Sequence, residues 1–216
     1  MRMLRTIARL APILILSTVL AGCGINAIPT RDENTKAAWA EVQNQYQRRA
    51  DLIPNLVATV KGYAAQEKDV LTAVTEARAS ATQVKVDAST ITDPVAFEKY
   101  AASQDRLSGV LGRLMMIQES YPDLKSNQNF LALQSQLEGT ENRIAIARRD
   151  YNQTALIYNK TLRTFPTILW AKTVYSDQKP AQLFQATATA QSAPNVDFSA
   201  PPAPTVNTGP APAPAQ

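Results

Sequence analysis

Residues Lys125–Phe165 read KSNQNFLALQSQLEGTENRIAIARRDYNQTALIYNKTLRTF, and within them Phe130, Leu137, Ile144, Tyr151, Tyr158 and Phe165 recur every seven positions without a miss. Leu133, Ala147, Ala155 and Leu162 fall three or four positions from these. An apolar stripe of that period is one face of a long helix packed against others, here roughly 60 Å long at about 1.5 Å per residue. Upstream, Asp93 and Pro94 suit the cap and first turn of a third helix. Its face carries Phe97, Tyr100, Leu107, Leu111, Leu114 and Tyr121, and it stops at Tyr121-Pro122. A second helix carries Leu56, Val60, Tyr63, Val70, Val74 and Ala77, and a first carries Trp39, Val42, Tyr46 and Ile53. Asp51 and Pro54 suit a cap and first-turn proline, so a short turn is expected between these two, with a kinked continuous helix as the alternative. No stretch alternates with period two for long enough to propose a strand. The expected fold is all-α: a long up-and-down four-helix bundle with short connections apart from a loop around residues 82–92, followed by a disordered Pro/Ala-rich C-terminal tail.

Polar side chains interrupt these stripes. Arg49, Glu67, Gln104, Gln118, Glu141 and Arg148 occupy positions where an apolar residue is expected. A charge buried there costs several kcal/mol, roughly, unless it is paired. Glu141 and Arg148 lie seven residues apart on one face, so each is expected to meet a partner from another helix, such as Arg49 or Glu67. The bland alternative is that some of the six sit at the bundle edge and reach water. If buried, their expected role is to set helix register, not chemistry.

The N-terminus carries an address. Arg2, Arg5 and Arg9 precede the apolar run Leu10–Leu20, which is too short to span a bilayer as a mature helix. The run ends in Leu20-Ala21-Gly22-Cys23, which resembles the lipobox of bacterial lipoproteins. Cleavage before Cys23 would leave it as the acylated first residue, holding the chain to a membrane through its acyl groups at about 0.8 kcal/mol per buried methylene. An ordinary secreted protein or an uncleaved signal anchor is the alternative. Gly24 stands where an aspartate usually retains lipoproteins in the inner membrane, so the expected location is the periplasmic leaflet of the outer membrane. With the three signal arginines gone, 19 basic residues face 18 acidic ones, and the alkaline pI of about 9.2 is poor evidence for a nucleic-acid partner.

The expected organisation is a signal peptide over residues 1–22, a linker over 23–32, the helical bundle over 33–180, an extension over 181–199 and the tail over 200–216. Seven of the fourteen prolines lie from Pro194 onward, in a segment too poor in apolar residues to offset its ordering entropy.

Several strings resemble the signature of the LemA family of bacterial envelope proteins. They are Arg48-Arg49-Ala50-Asp51-Leu52-Ile53-Pro54-Asn55-Leu56-Val57 with Val60-Lys61-Gly62-Tyr63, Tyr121-Pro122-Asp123-Leu124-Lys125, and Thr140-Glu141-Asn142-Arg143-Ile144-Ala145. Arg148-Arg149-Asp150-Tyr151-Asn152, Tyr158-Asn159, Phe165-Pro166 and Ala193-Pro194-Asn195-Val196-Asp197-Phe198 extend the likeness. The resemblance implies a helical bundle tethered at its N-terminus outside the cytoplasm, often by a transmembrane helix. It transfers no catalytic residues. The lipobox and the tail depart from the pattern.

Chemical inventory argues against an enzyme. The chain has no histidine and its one cysteine is Cys23, which removes the commonest general base and a thiolate nucleophile. Paired carboxylates remain at Glu67, Glu138 and Glu141, without the Glu-x-x-His repeat of di-iron bundles. Gly109 and Gly112 lie inside the third helix, where close helix packing is expected of them. No cofactor and no metal are expected. Two roles compete: a membrane-tethered scaffold or adaptor for another envelope protein, for which the family resemblance suggests a TPM-domain protein, and a structural spacer or remodelling factor of the envelope. Self-association stays open.

Overall fold

A computed structural model describes residues 24–84 and 87–185. The signal peptide, Cys23 and the tail over 200–216 lie outside the described residues, as does the extension beyond Gln185. Six α-helices follow in order: α1 Ala27–Tyr63, α2 Lys68–Gln83, α3 Pro94–Met116, α4 Pro122–Lys125, α5 Gln128–Arg163 and α6 Thr167–Thr173. Short 3₁₀ turns at Thr90–Thr92 and Ile117–Ser120 flank α3, and no strand occurs among the described residues. The all-α bundle expected from the heptad stripe is what the chain adopts.

The spine is the antiparallel pair α1 and α5. Trp39 meets Tyr151 with ring centroids 5.3 Å apart, Arg49 meets Glu141 at 2.9 Å, and Tyr63 Oη accepts a hydrogen bond from Asn127 Nδ2 at 2.8 Å. Each step up α1 is matched by an equal step down α5, so one register holds along the whole pair. The second pair, α2 and α3, covers the half of this spine farther from the start of α1. There Ile53, Leu56 and Val60 of α1, Leu71 and Val74 of α2, Leu107, Leu111 and Leu114 of α3, and Phe130 and Leu137 of α5 form an aliphatic core. The other half holds an aromatic core of Trp39, Tyr46, Phe97, Tyr100, Tyr151 and Tyr158, with Ile28, Ile91 and Phe184.

The start of α3 is as expected, its α-helical turns end at Met116 and pass into a 3₁₀ turn before the expected stop at Tyr121, and α1 differs. Asp93 caps α3, its Oδ1 accepting from the N–H groups of Val95 at 2.9 Å and Ala96 at 3.2 Å. Asn127 caps α5 through Phe130 N–H at 2.9 Å. The turn expected at Asp51–Pro54 is absent and the alternative of one continuous helix holds: α1 runs through Pro54 and ends at Tyr63, so Leu56, Val60 and Tyr63 belong to the first helix. The linker boundary shifts too, because α1 begins at Ala27, within the expected linker.

The reason α1 tolerates Pro54 is specific. Proline has no N–H for the carbonyl of Ala50, four residues back, and Arg78 of α2 supplies the missing donor, Nε to Ala50 O at 2.8 Å. The reversal lies instead at Ala64–Glu67, where Glu67 N–H donates to Ala64 O at 3.1 Å and the Ala64 side chain is fully buried. Ala, Gln and Glu favour helix, so tertiary packing overrides local preference there.

Replacing Arg78 with alanine should strip Ala50 O of its donor and lower stability by about 1–3 kcal/mol. Adding Pro54→Ala should recover much of that loss, since an alanine N–H closes the ordinary helical bond. Urea unfolding of the two single variants and the double variant measures the coupling, and strictly additive effects would refute this account.

Candidate functional site

A polar layer separates the two cores. Along α1 the order is Tyr46, Arg49, Ile53; along α3 it is Tyr100, Gln104, Leu107; along α5 it is Leu137, Glu141, Ile144. Arg49 is among the largest fully buried side chains, 1% exposed. Its Nη1 donates to Ser108 Oγ at 2.6 Å and to Glu141 Oε1 at 2.9 Å. Its Nη2 donates to Gln104 Oε1 at 2.6 Å and to Gln104 O at 3.2 Å. Gln104 Nε2 in turn donates to Ala81 O at 3.2 Å, a carbonyl in the last turn of α2 with no intrahelical donor. One guanidinium network therefore touches α1, α2, α3 and α5.

The layer continues toward the aromatic core. The guanidinium of Arg49 lies 5.0 Å from the ring centroid of Tyr46, a cation–π contact. Arg148 of α5 pairs with Asp105 of α3 at 3.0 Å, and its guanidinium lies 4.4 Å from the Phe184 ring centroid. Two cations and two carboxylates thus balance in one region. Burial pushes the Tyr46 hydroxyl above its ordinary pKa, while the positive charges of Arg148 and Arg49 pull the other way. Tyr46 Oη and Arg49 Nε have no hydrogen-bond partner, which leaves the buried network incompletely satisfied.

Of the six polar seam residues, the fold brings Arg49, Gln104 and Glu141 together and places Arg148 two turns along from Glu141. Glu67 and Gln118 lie elsewhere. Glu67 accepts from Tyr121 Oη at 2.7 Å near the α1–α2 reversal, so it partners neither Glu141 nor Arg148, and Gln118 is half-buried in the 3₁₀ turn after α3. Nor is the seam uniformly interior: the Glu141 side chain is 38% exposed and opens toward solvent. Gly109 and Gly112 do not provide close packing, since a Cβ at either would meet nothing within 4 Å. A groove of about 430 Å³ runs there between α3 and α5, lined by Leu111, Gly112, Met115, Leu137, Glu138 and Glu141. No group of three or more acidic, His or Cys side chains among the described residues is arranged to hold a metal ion.

A second device, unannounced by any side-chain pattern, lies along α5. After α6 the chain turns back along α5 in extended form, and two asparagines of α5 grip it. Asn159 donates to Ala181 O and accepts from Ala181 N–H, both at 2.8 Å. Asn152 does the same to Phe184, both at 2.9 Å. Tyr151 Oη donates to Gln182 O at 2.8 Å, and Tyr158 Oη lies 2.8 Å from Gln178 Oε1. Seven helical residues advance about 10.5 Å, and three extended residues advance roughly 10 Å. Tyr-Asn at 151–152 and again at 158–159 is thus a ruler for this segment. Phe184 is thereby set among Trp39, Phe97 and Tyr151, its ring centroid 4.8 Å from that of Phe97. Burial raises the Tyr158 hydroxyl to about 12 and raises that of Tyr151 as well.

The LemA family model matches residues 38–198. The chain belongs to the LemA family. The match takes in the Arg49 layer, both Tyr-Asn pairs and the returning segment; Cys23 and the tail fall outside it. Magnetosome protein MamQ 2 of Paramagnetospirillum magneticum is 25% identical over 212 residues, spanning 84% of this chain and 77% of that protein. Magnetosome protein MamQ of Magnetospirillum gryphiswaldense is 25% identical over 157 residues, 65% of this chain and 58% of that protein. Protein LemA of Metamycoplasma hominis is 27% identical over 138 residues, 63% of this chain and 59% of that protein. No helix among the described residues is long and apolar enough to cross a membrane.

Two outcomes check this site. Arg49→Ala leaves the carboxylate of Glu141 and the Gln104 amide without their donor and opens a cavity, and should cost about 3–5 kcal/mol in urea unfolding. Glu141→Gln keeps the shape and, because that carboxylate is partly solvated, should cost only about 1–2 kcal/mol. For the returning segment, Asn152→Leu and Asn159→Leu should each make residues 178–184 cleavable by a protease that leaves the parent intact, while α-helical circular dichroism is retained.

Proposed function

We propose that this LemA family member is a non-enzymatic scaffold: a bundle tethered by acyl groups on Cys23 that presents a binding surface to another protein of the cell envelope. What supports this most is how the anchor side and the open surface are separated. Gly24, the residue after Cys23, is buried at one end of the α1–α5 pair, and α1 is 37 residues long, about 55 Å at helical rise. The α3–α5 groove opens around Leu137 and Gly112, roughly 40 Å along α5 from its last turn. A stiff spine with a single register holds that groove at a set height above the tether. The chain's lack of histidine and the pairing of Arg49, Glu141, Arg148 and Asp105 among themselves favour a structural use of the charges. In a bacterium with two membranes the bundle would lie on the periplasmic side of the outer membrane, and a TPM-domain protein is the first partner to seek.

The alternative is a spacer or envelope-remodelling factor whose tail reaches a second layer. Photo-crosslinking in living cells separates the two. A benzoylphenylalanine at position 112, where a side chain meets open space, should capture one defined envelope protein with the tail present or removed. Absence of any adduct, together with an envelope defect on deleting residues 200–216, would favour the spacer and overturn the scaffold.

A further inference from the structure

The end of the bundle that carries the tether also carries an apolar and basic corner. Phe165 is 80% exposed, the most of any large apolar side chain described, with Leu169 at 58% and Val174 at 57%. Phe165 lies in the turn between α5 and α6, and Leu169 lies within α6. Lys160 and Arg163 in the last turn of α5 and Lys172 in the last turn of α6 are exposed beside them. From Leu156 to Lys179 the chain has four basic residues and a single acid, Asp177. Solvent-facing aromatic and aliphatic side chains ringed by cations are the composition of a surface that lies in the headgroup region of an anionic bilayer.

The position of Gly24 says what covers this corner. A Cβ built on Gly24 would lie 3.3 Å from Thr167 Cγ2 and 3.6 Å from Trp170 Cδ1, so the backbone is pressed against α6 and a larger residue would crowd it. Cys23 is one peptide link away, about 3.8 Å between Cα atoms. Acyl chains on Cys23 would therefore begin one residue from the contact that Gly24 makes with α6. With acyl chains entering a bilayer at that point, α6 has no slack with which to stand clear of the lipid surface.

We propose that the α5–α6 corner is a second membrane contact: Phe165 and Leu169 insert at the headgroup boundary, Lys160, Arg163 and Lys172 meet anionic lipid, and the half-buried Trp170, packed between Gly24 and the aromatic core, lies just beneath that boundary. This inference rests on the acylation of Cys23 proposed above. It assigns α6 the task of fixing the tilt of the α1–α5 spine, which an acyl tether alone leaves free. It also gives Gly24 a packing role in addition to any part in sorting.

Tryptophan emission tests it, because Trp39 is 2% exposed in the aromatic core and Trp170 is the only other tryptophan. The full lipidated chain is reconstituted into vesicles of phosphatidylethanolamine and phosphatidylglycerol whose acyl chains carry bromine, a short-range quencher. Flotation with the vesicles and a loss of emission are expected. That loss should vanish in Trp170→Phe and shrink in Phe165→Ser/Leu169→Ser, a doubly exposed pair whose change leaves the core intact, while both variants still float. Protein that floats with undiminished Trp170 emission keeps its tether and overturns the corner contact. Protein that fails to float overturns the tether and the corner contact together.

Discussion

A guanidinium cannot be taken out of water without partners, and the Arg49 network is built on that constraint. Its two terminal nitrogens reach a hydroxyl, a carboxylate, an amide oxygen and a backbone carbonyl, supplied by α3 and α5. Sliding α5 by one turn would move Glu141 some 5 Å, roughly, from the guanidinium and leave a nearly buried charge short of its counter-ion. Apolar side chains on either side are more forgiving of such a slip, because aliphatic contacts are non-directional. The layer therefore acts as a register pin for packing that would otherwise be degenerate, and the matched pairs Trp39–Tyr151 and Tyr63–Asn127 follow from it.

On one side of that pin the bundle is four helices around aliphatic side chains. On the other, α2 has ended at Gln83, and without further cover α1 and α5 would expose aromatic rings to water. The returning segment covers them, with Phe184 serving in place of a helix. It does so with side-chain amides acting like the edge of a sheet: each asparagine offers both a donor and an acceptor to one residue of an extended chain, satisfying backbone groups that a strand partner would ordinarily satisfy. The apolar cover and the polar clamp come from the same few residues, so neither can form without the other.

The two ends of the molecule differ in kind. Far from Gly24, the α1–α2 reversal and the short α4, whose Leu124 is fully buried in the aliphatic core, close the bundle, and the groove between α3 and α5 lies open. Near Gly24, a close backbone approach joins the start of α1 to α6, and exposed apolar groups face outward. The tether proposed for Cys23 would call for orientation to be controlled at that end and a recognition surface to be free elsewhere. This division of labour matches the non-enzymatic role proposed for the chain.

Much of this was legible in the sequence, for reasons that can be stated residue by residue. The seven-residue stripe from Phe130 to Tyr158 determined a long helix and hence an all-α bundle, because a 3.6-residue period can bury only one face. Asp93-Pro94 marked the start of α3, since capping is local chemistry, and the placement of Arg49 and Glu141 on apolar faces implied partners across helices. Pro54 misled because its cost depends on Arg78, far away in the chain, and the Ala64–Glu67 reversal was hidden because the stripe from Tyr63 to Val70 keeps its seven-residue step across the break. Asn152 and Asn159 stood in plain view as a repeat, yet their partners are backbone atoms, which no side-chain pattern announces. By itself the sequence determined which faces are buried and which charges need company, because period and desolvation cost are properties of the chain. Only the tertiary structure decided which partner each charge meets, where the chain reverses and what packs against Gly24, because those depend on groups that distant segments bring together.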